Sequence, residues 1–199
     1  MTLLNGPHTV LSPVAFLSGI NIVRDACNDP VVGKYIHKVQ FEELMQTLNL
    51  PMDELQQFAA DVLERFNNPY VDHQVTSIML NSFPKFQTRD LPGVKIYLER
   101  IGELPKGLVF GLAAIITYYK GGKRADGTEI VPNDAPEIMQ LLTGLWTTGD
   151  TRKVAEGVLA AEMIWHEDLN KIPGLTDLVT SDLDKIQQLG MLEAVKTIL

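Results

Sequence analysis

DELQQFAADVLERF, residues 53–66, sets the dominant period of this chain. Its apolar side chains, Leu55, Phe58, Ala59, Val62, Leu63 and Phe66, fall at i, i+3, i+4, i+7, i+8 and i+11, one stripe on a 3.6-residue helix. Pro51 fits a first turn, where its missing N–H costs nothing, and Asp53 and Glu54 suit the positive end of the helix dipole. Asn67, Asn68 and Pro69 close the helix, and the pattern resumes over Tyr70–Phe83 through Val71, Val75, Ile78, Met79 and Leu80. Further helices are predicted over Pro30–Leu48 behind an Asn28-Asp29 cap, and over Leu108–Tyr119, nearly all apolar and so buried on most sides. Others are predicted over Pro136–Trp146, Thr151–Trp165 with Asp150 as N-cap, Leu175–Leu189 and Met191–Ile198. Only Gly121–Asn133 breaks the period. It carries an Asp126-Gly127 turn signal and a short strand is predicted at Ile130 and Val131. The reading is one mostly helical domain of about eight to ten helices, spanning residues 1–199.

Composition bounds the function. With 199 residues there is room for one domain, at roughly 100–200 residues per domain. A hydrophobic share of 45% excludes global disorder. A net charge of −8 speaks against a nucleic-acid partner, which would call for a basic excess to neutralise phosphates. The longest apolar run, Gly107–Tyr119, falls short of the roughly 18 residues a membrane span needs, so no membrane partner is expected. Cys27 stands alone, which excludes an internal disulfide and fits a reducing, cytoplasmic setting. The chain carries no glycine-rich dinucleotide or phosphate loop, no Gly-x-Ser-x-Gly, and no metal-ligand signature, so no metal is expected.

Two segments could carry chemistry. In Leu4-Asn5-Gly6-Pro7-His8-Thr9, Asn5 and His8 stand three apart and share one face of a helix. An amide and an imidazole converging on one point can hold a carbonyl or alkoxide oxygen. Asn5 as a simple helix cap, with Pro7 opening the helix and His8 exposed, is the competing reading. In the second segment His73, Ser77, Asn81 and Lys85 step by four, which on one helix gives a single polar face. Pro84 is expected to end that helix, leaving Lys85 at its end, aimed at an anionic ligand. Arg65 and Arg89 could add positive charge there or lie on the surface.

Together these segments resemble the C-terminal domain of the long-chain mannitol dehydrogenase family. The resemblance runs from Leu4-Asn5-Gly6-Pro7-His8-Thr9 through Arg65-Phe66-x-Asn68-Pro69 and Lys85-Phe86-x-Thr88-Arg89 to Leu104-Pro105 and Pro173-Gly174-Leu175, covering essentially the whole chain. It implies a fold like the 6-phosphogluconate dehydrogenase C-terminal domain. It also implies NAD-dependent hydride transfer to a sugar carbonyl, with Asn5 and His8 polarising the reacting oxygen and Lys85 binding substrate. The family's acid/base lysine is expected five residues ahead of Asn5, just before Met1, and the N-terminal dinucleotide-binding domain, which holds most of the NAD, ahead of that. On this reading the 199 residues alone are inactive. His73, Ser77 and Asn81 depart from the Asp, Arg and Asp of mannitol-type members and match the tagaturonate-reducing branch. A sugar acid, tagaturonate with altronate as its product, is therefore the expected substrate. A fructuronate or polyol enzyme, or a helical interaction module without catalysis, are the alternatives.

Overall fold

The computed structural model describes residues 2–199. Helix α1 (Thr2–Leu17) runs through the middle of the molecule. It is followed by α2 (Val23–Asn28), α3 (Val32–His37), a π-helical turn at Lys38–Glu43 and a 3-10 turn at Leu44–Thr47. Then come α4 (Met52–Phe66), α5 (Val75–Ile78), α6 (Ser82–Arg89), α7 (Leu91–Ile101) and α8 (Lys106–Tyr118). A two-stranded hairpin, β1 (Gly122–Lys123) and β2 (Glu129–Ile130), pairs Gly122 with Ile130 and Lys123 with Glu129. Helices α9 (Pro136–Trp146), α10 (Thr151–Leu159), α11 (Glu162–Trp165), α12 (Leu175–Leu189) and α13 (Met191–Lys196) complete the chain, with a 3-10 turn at Leu169–Lys171 before α12. Among the described residues no helix is long and apolar enough to cross a membrane.

The apolar helix α8 is buried along nearly its whole length and forms the centre of the core. Helix α1 packs on it so closely that a Cβ on Gly111 would lie 2.5 Å from Val10 Cγ1. Two prolines, Pro7 and Pro13, sit inside α1. Pro7 leaves the Leu3 carbonyl without its usual intrahelical N–H. The buried Gln40 amide donates to that carbonyl (3.4 Å) and to the Ala59 carbonyl (3.0 Å), tying α1 to α4. Gln40 lies in the π-helical turn, which also turns Glu43 inward. Its carboxylate accepts from the Gly107 and Leu108 N–H groups (2.7 and 2.8 Å), capping the first turn of α8. Burial raises the Glu43 carboxyl to about 7 despite those two donors.

The caps read from sequence are present. Asp29 accepts from the Val31 and Val32 N–H groups, and Asp150 from those of Arg152 and Lys153. Three expected elements differ. The single helix over Pro30–Leu48 is helical throughout most of its length but changes pitch at Lys38 and again at Leu44. The helix over Thr151–Trp165 breaks at Ala160–Ala161. The helix over Tyr70–Phe83 is not formed: Val71–Gln74 runs extended, α5 is a single turn, and Asn81 adopts a left-handed conformation (φ 52°) before α6 begins. Backbone pairing overrides the periodicity, because Ile22 bridges Gln74, the Val23 N–H donates to the His73 carbonyl and the Val75 N–H to the Asn21 carbonyl. Pro84 therefore lies in the first turn of α6, where its missing N–H is harmless, and opens a helix instead of closing one.

Candidate active-site cleft

Asn5 and His8 lie well inside α1, half-buried on one face, so Asn5 does not cap the helix. The His8 ring stacks on Phe66 at the end of α4, with ring centroids 3.9 Å apart, and meets the His73 ring edge-on at 5.6 Å. Its Nε2 is buried and has no hydrogen-bond partner. Burial, then the positive fields of His73 and Arg89, lower the His8 imidazole to about 4, and a hydrogen bond to the Leu4 backbone does not offset them. His8 is thus neutral at physiological pH, with a free ring nitrogen directed into a cleft.

The opposite wall is the extended segment that follows α4. Arg24, on α2, clamps it: Nη1 donates to the Asn68 and Pro69 carbonyls (3.3 and 3.0 Å) and Nη2 to Asp72 Oδ1 (2.7 Å). The Asn28 amide donates to Asn67 Oδ1, and Asn68 Oδ1 accepts from the Tyr70 N–H. The outcome is a cavity of about 220 Å³ whose walls include Leu4, His8, Arg65, Phe66, Asn68 and His73. That is below the roughly 300–1,000 Å³ of drug-sized sites and suits one small polar metabolite. A wider concavity of about 590 Å³ adjoins it and shares Arg65 and Asn68.

The four-step face expected of His73, Ser77, Asn81 and Lys85 does not exist, because these residues occupy three elements and a turn. His73 reaches the cavity with His8. Ser77 is exposed on α5 and its hydroxyl donates to the Gln74 carbonyl (2.7 Å). Asn81 is exposed at the left-handed corner, its N–H held by the Asn133 carbonyl (3.2 Å). Lys85 is in α6, its ammonium donating to the Ile78 carbonyl (2.7 Å) across that corner. Partial burial and Arg89 lower the Lys85 ammonium, against the opposing effect of Asp134. Ser77, Asn81 and Lys85 lie outside the cavity lining. Arg89 links the two regions: it bonds Thr9 Oγ1 on α1 (3.3 Å), and its charge acts on both His8 and Lys85.

Sequence reasoning passed over two contributors, Phe66 and Arg24, and left Arg65 open between the site and the surface. Phe66 is the platform under His8, Arg24 fixes the loop, and Arg65 lines both concavities. The run Arg65-Phe66-x-Asn68-Pro69 carried the signal for Arg65 and Phe66. Arg24 left none, since its partners lie more than forty residues away. Among the described residues no cluster of three or more His, Cys, Asp or Glu side chains is placed to hold a metal ion.

A mostly helical domain thus carries an imidazole with an unpartnered ring nitrogen in a cavity lined by Arg65 and His73. Its fold is that of sugar-alcohol dehydrogenases. The structure of Pseudomonas fluorescens mannitol 2-dehydrogenase in ternary complex with NAD and D-mannitol superposes with a TM-score of 0.86 at 22% identity, over 98% of this chain and 39% of that one. Substrate-free D-sorbitol dehydrogenase gives 0.79 at 19% identity. Residues 1–187 match the mannitol dehydrogenase C-terminal domain, and the chain belongs to that family. Among curated relatives, altronate oxidoreductase of Phocaeicola vulgatus is 79% identical over the whole chain, and that of Bacillus subtilis 40% over 98% of it. The chain spans 42% and 39% of the length of those two relatives.

Proposed function

We propose that this chain is the substrate-binding domain of an NAD-dependent altronate oxidoreductase that interconverts tagaturonate and altronate in the cytoplasm. The observation that carries the reading is His8: a neutral imidazole whose buried Nε2 has no partner, in a cleft bordered by Arg65 and under the charge of Arg89. A reacting oxygen placed there completes the hydrogen bonding of that nitrogen. Asn5, on the same face of α1, is the second group on that oxygen, and a polarised carbonyl is the state that accepts hydride. The 79% identity to an altronate oxidoreductase supports the choice of substrate.

The nicotinamide of NAD, held mainly by the enzyme's own N-terminal dinucleotide-binding domain, supplies or accepts the hydride when bound. The residues of this chain fit a partner at that position, since the cavity holding His8 opens beside the wider concavity that shares Arg65 and Asn68. His8 and Asn5 orient the carbonyl. His73 walls the cavity. Lys85, Ser77 and Asn81 stand at the α5–α6 corner, outside that cavity's lining, and a lysine ahead of Asn5 in the full-length enzyme exchanges the hydroxyl proton. The test is NADH oxidation by the full-length enzyme with tagaturonate, fructuronate and an uncharged ketohexose. We expect tagaturonate to have the highest kcat/KM, and His8→Ala or Asn5→Ala to lower it by about 10²–10³-fold, the scale of one lost oxyanion donor. Unchanged kinetics in both variants would remove the pair from the mechanism.

A further inference from the structure

Five of the six arginines are engaged: Arg24 with Asp72, Arg89 with Thr9, Arg100 with Gln46 and Asn49, Arg124 with Asp126, and Arg152 with Glu156 and Asp177. Among the described residues, Arg65 is the arginine whose guanidinium has neither a hydrogen bond nor an ion pair. Its natural helical partner is Asp61, four residues earlier on α4. Asp61 instead accepts from Gln57 Nε2 (2.8 Å), and Arg65 lines the wall of the cavity that contains His8.

That cavity has no carboxylate in its lining. Its polar side chains are Arg65, Asn68, His8 and His73, so all its formal charge is positive. Lys85, by contrast, lies outside the lining with its ammonium on the Ile78 carbonyl. A guanidinium without a counterion, at the edge of a small cavity free of acids, matches a carboxylate through two parallel hydrogen bonds. Phe66 holds the His8 ring, and the adjacent residue holds the guanidinium, so the end of α4 sets the spacing between the reacting oxygen and the anion.

We propose that Arg65 binds the substrate carboxylate in this cavity. The inference rests on the altronate reading for the identity of the reaction, and on the cavity itself for the anion. Phosphate groups of the cofactor share the chemistry, since Arg65 also borders the wider concavity, and the test separates the two sources.

In the full-length enzyme, Arg65→Met is expected to raise KM for tagaturonate about 10–100-fold, the loss of a charge-assisted bidentate contact, with kcat changed far less. Arg65→Lys should fall between the two. KM for NADH should stay within about twofold, and the preference for tagaturonate over an uncharged ketohexose should shrink by the same 10–100-fold. A raised KM for NADH with tagaturonate unaffected would assign Arg65 to cofactor phosphate and overturn the proposal. Equal losses for charged and uncharged substrates would do so too. Calorimetric titration of the same proteins with altronate keeps this inference separate from the reaction. If the wild type binds altronate and Arg65→Met binds it 10–100-fold more weakly, the carboxylate site stands even where no turnover is seen, and only the altronate oxidoreductase reading fails. Equal altronate affinity in the two proteins overturns the assignment of Arg65.

Discussion

Replacing Gly111 with alanine tests the packing on which the cleft depends, because α8 supports α1 and α1 carries Asn5 and His8. A Cβ at Gly111 would lie 2.5 Å from Val10 Cγ1 and 2.8 Å from Tyr35 Oη. Val10 and Tyr35 are both fully buried, so neither can step aside. The helices must separate, at about 1–3 kcal/mol for overpacking. Displacing Tyr35 also endangers its buried hydrogen bond to the Gly107 carbonyl (3.0 Å), and a stranded hydroxyl costs about 1–3 kcal/mol. The better helix propensity of alanine returns about 1 kcal/mol. The net expectation is a loss of about 1–5 kcal/mol, or roughly 2–20 °C in Tm at about 2–4 °C per kcal/mol for a chain of this size. Gly144→Ala is the matched control. It lies within α9, exposed, with no atom within 4 Å of an added Cβ, and should gain about 0.5–1 kcal/mol. Urea unfolding of the two variants and the wild type, with m unchanged, measures both values. The same substitution should thus act with opposite signs at two helical glycines, and a neutral or stabilising Gly111→Ala would refute the described contact between α1 and α8.

Further outcomes follow from buried charge and from the loop clamp. Glu43 titrates near 7 in the folded protein against about 4.5 unfolded, so the folded state binds the extra proton; its contribution is fully present below about 4.5 and is lost as pH rises through 7. Asp90, buried with neither oxygen hydrogen-bonded, is raised as well and acts with the same sign. Unfolding free energy should therefore be lower at pH 8 than at pH 6, and Glu43→Gln should flatten that slope while weakening the cap of α8. His8 acts in the other direction. Its folded value of about 4 lies below the usual 6.5, so its contribution is present above 6.5 and is lost as pH falls toward 4, and its ring-proton NMR shift should titrate with a midpoint near 4. Arg24→Met removes the three hydrogen bonds on the 68–72 segment. It should speed amide exchange at residues 70–75 while costing global stability no more than about 1 kcal/mol, since the clamp is solvent-exposed.

How much of this molecule was legible in the sequence depends on the range of the forces involved. The helices α4, α8, α9 and α12 follow from their apolar spacing, and the caps at Asp29 and Asp150 from local chemistry, because every group concerned lies within a turn or two along the chain. Asn5 and His8 share a face for the same reason. The cleft itself was not legible, because it is assembled from residues far apart in sequence. The stretch from Val71 to Gln74 has apolar residues that suit a helix with those that follow, yet it lies extended because residues 21–24 offer its backbone hydrogen bonds that a helix would otherwise provide. That pairing carries His73 to His8 and leaves Ser77 and Asn81 outside. Likewise the π-helical turn at Lys38–Glu43 answers distant needs, the carbonyl that Pro7 leaves bare and the open N-terminus of α8. Local periodicity determined which segments coil, while the tertiary structure decided which polar groups meet, since a hydrogen bond or a bare charge is satisfied by whatever the fold brings within 3 Å, irrespective of sequence distance.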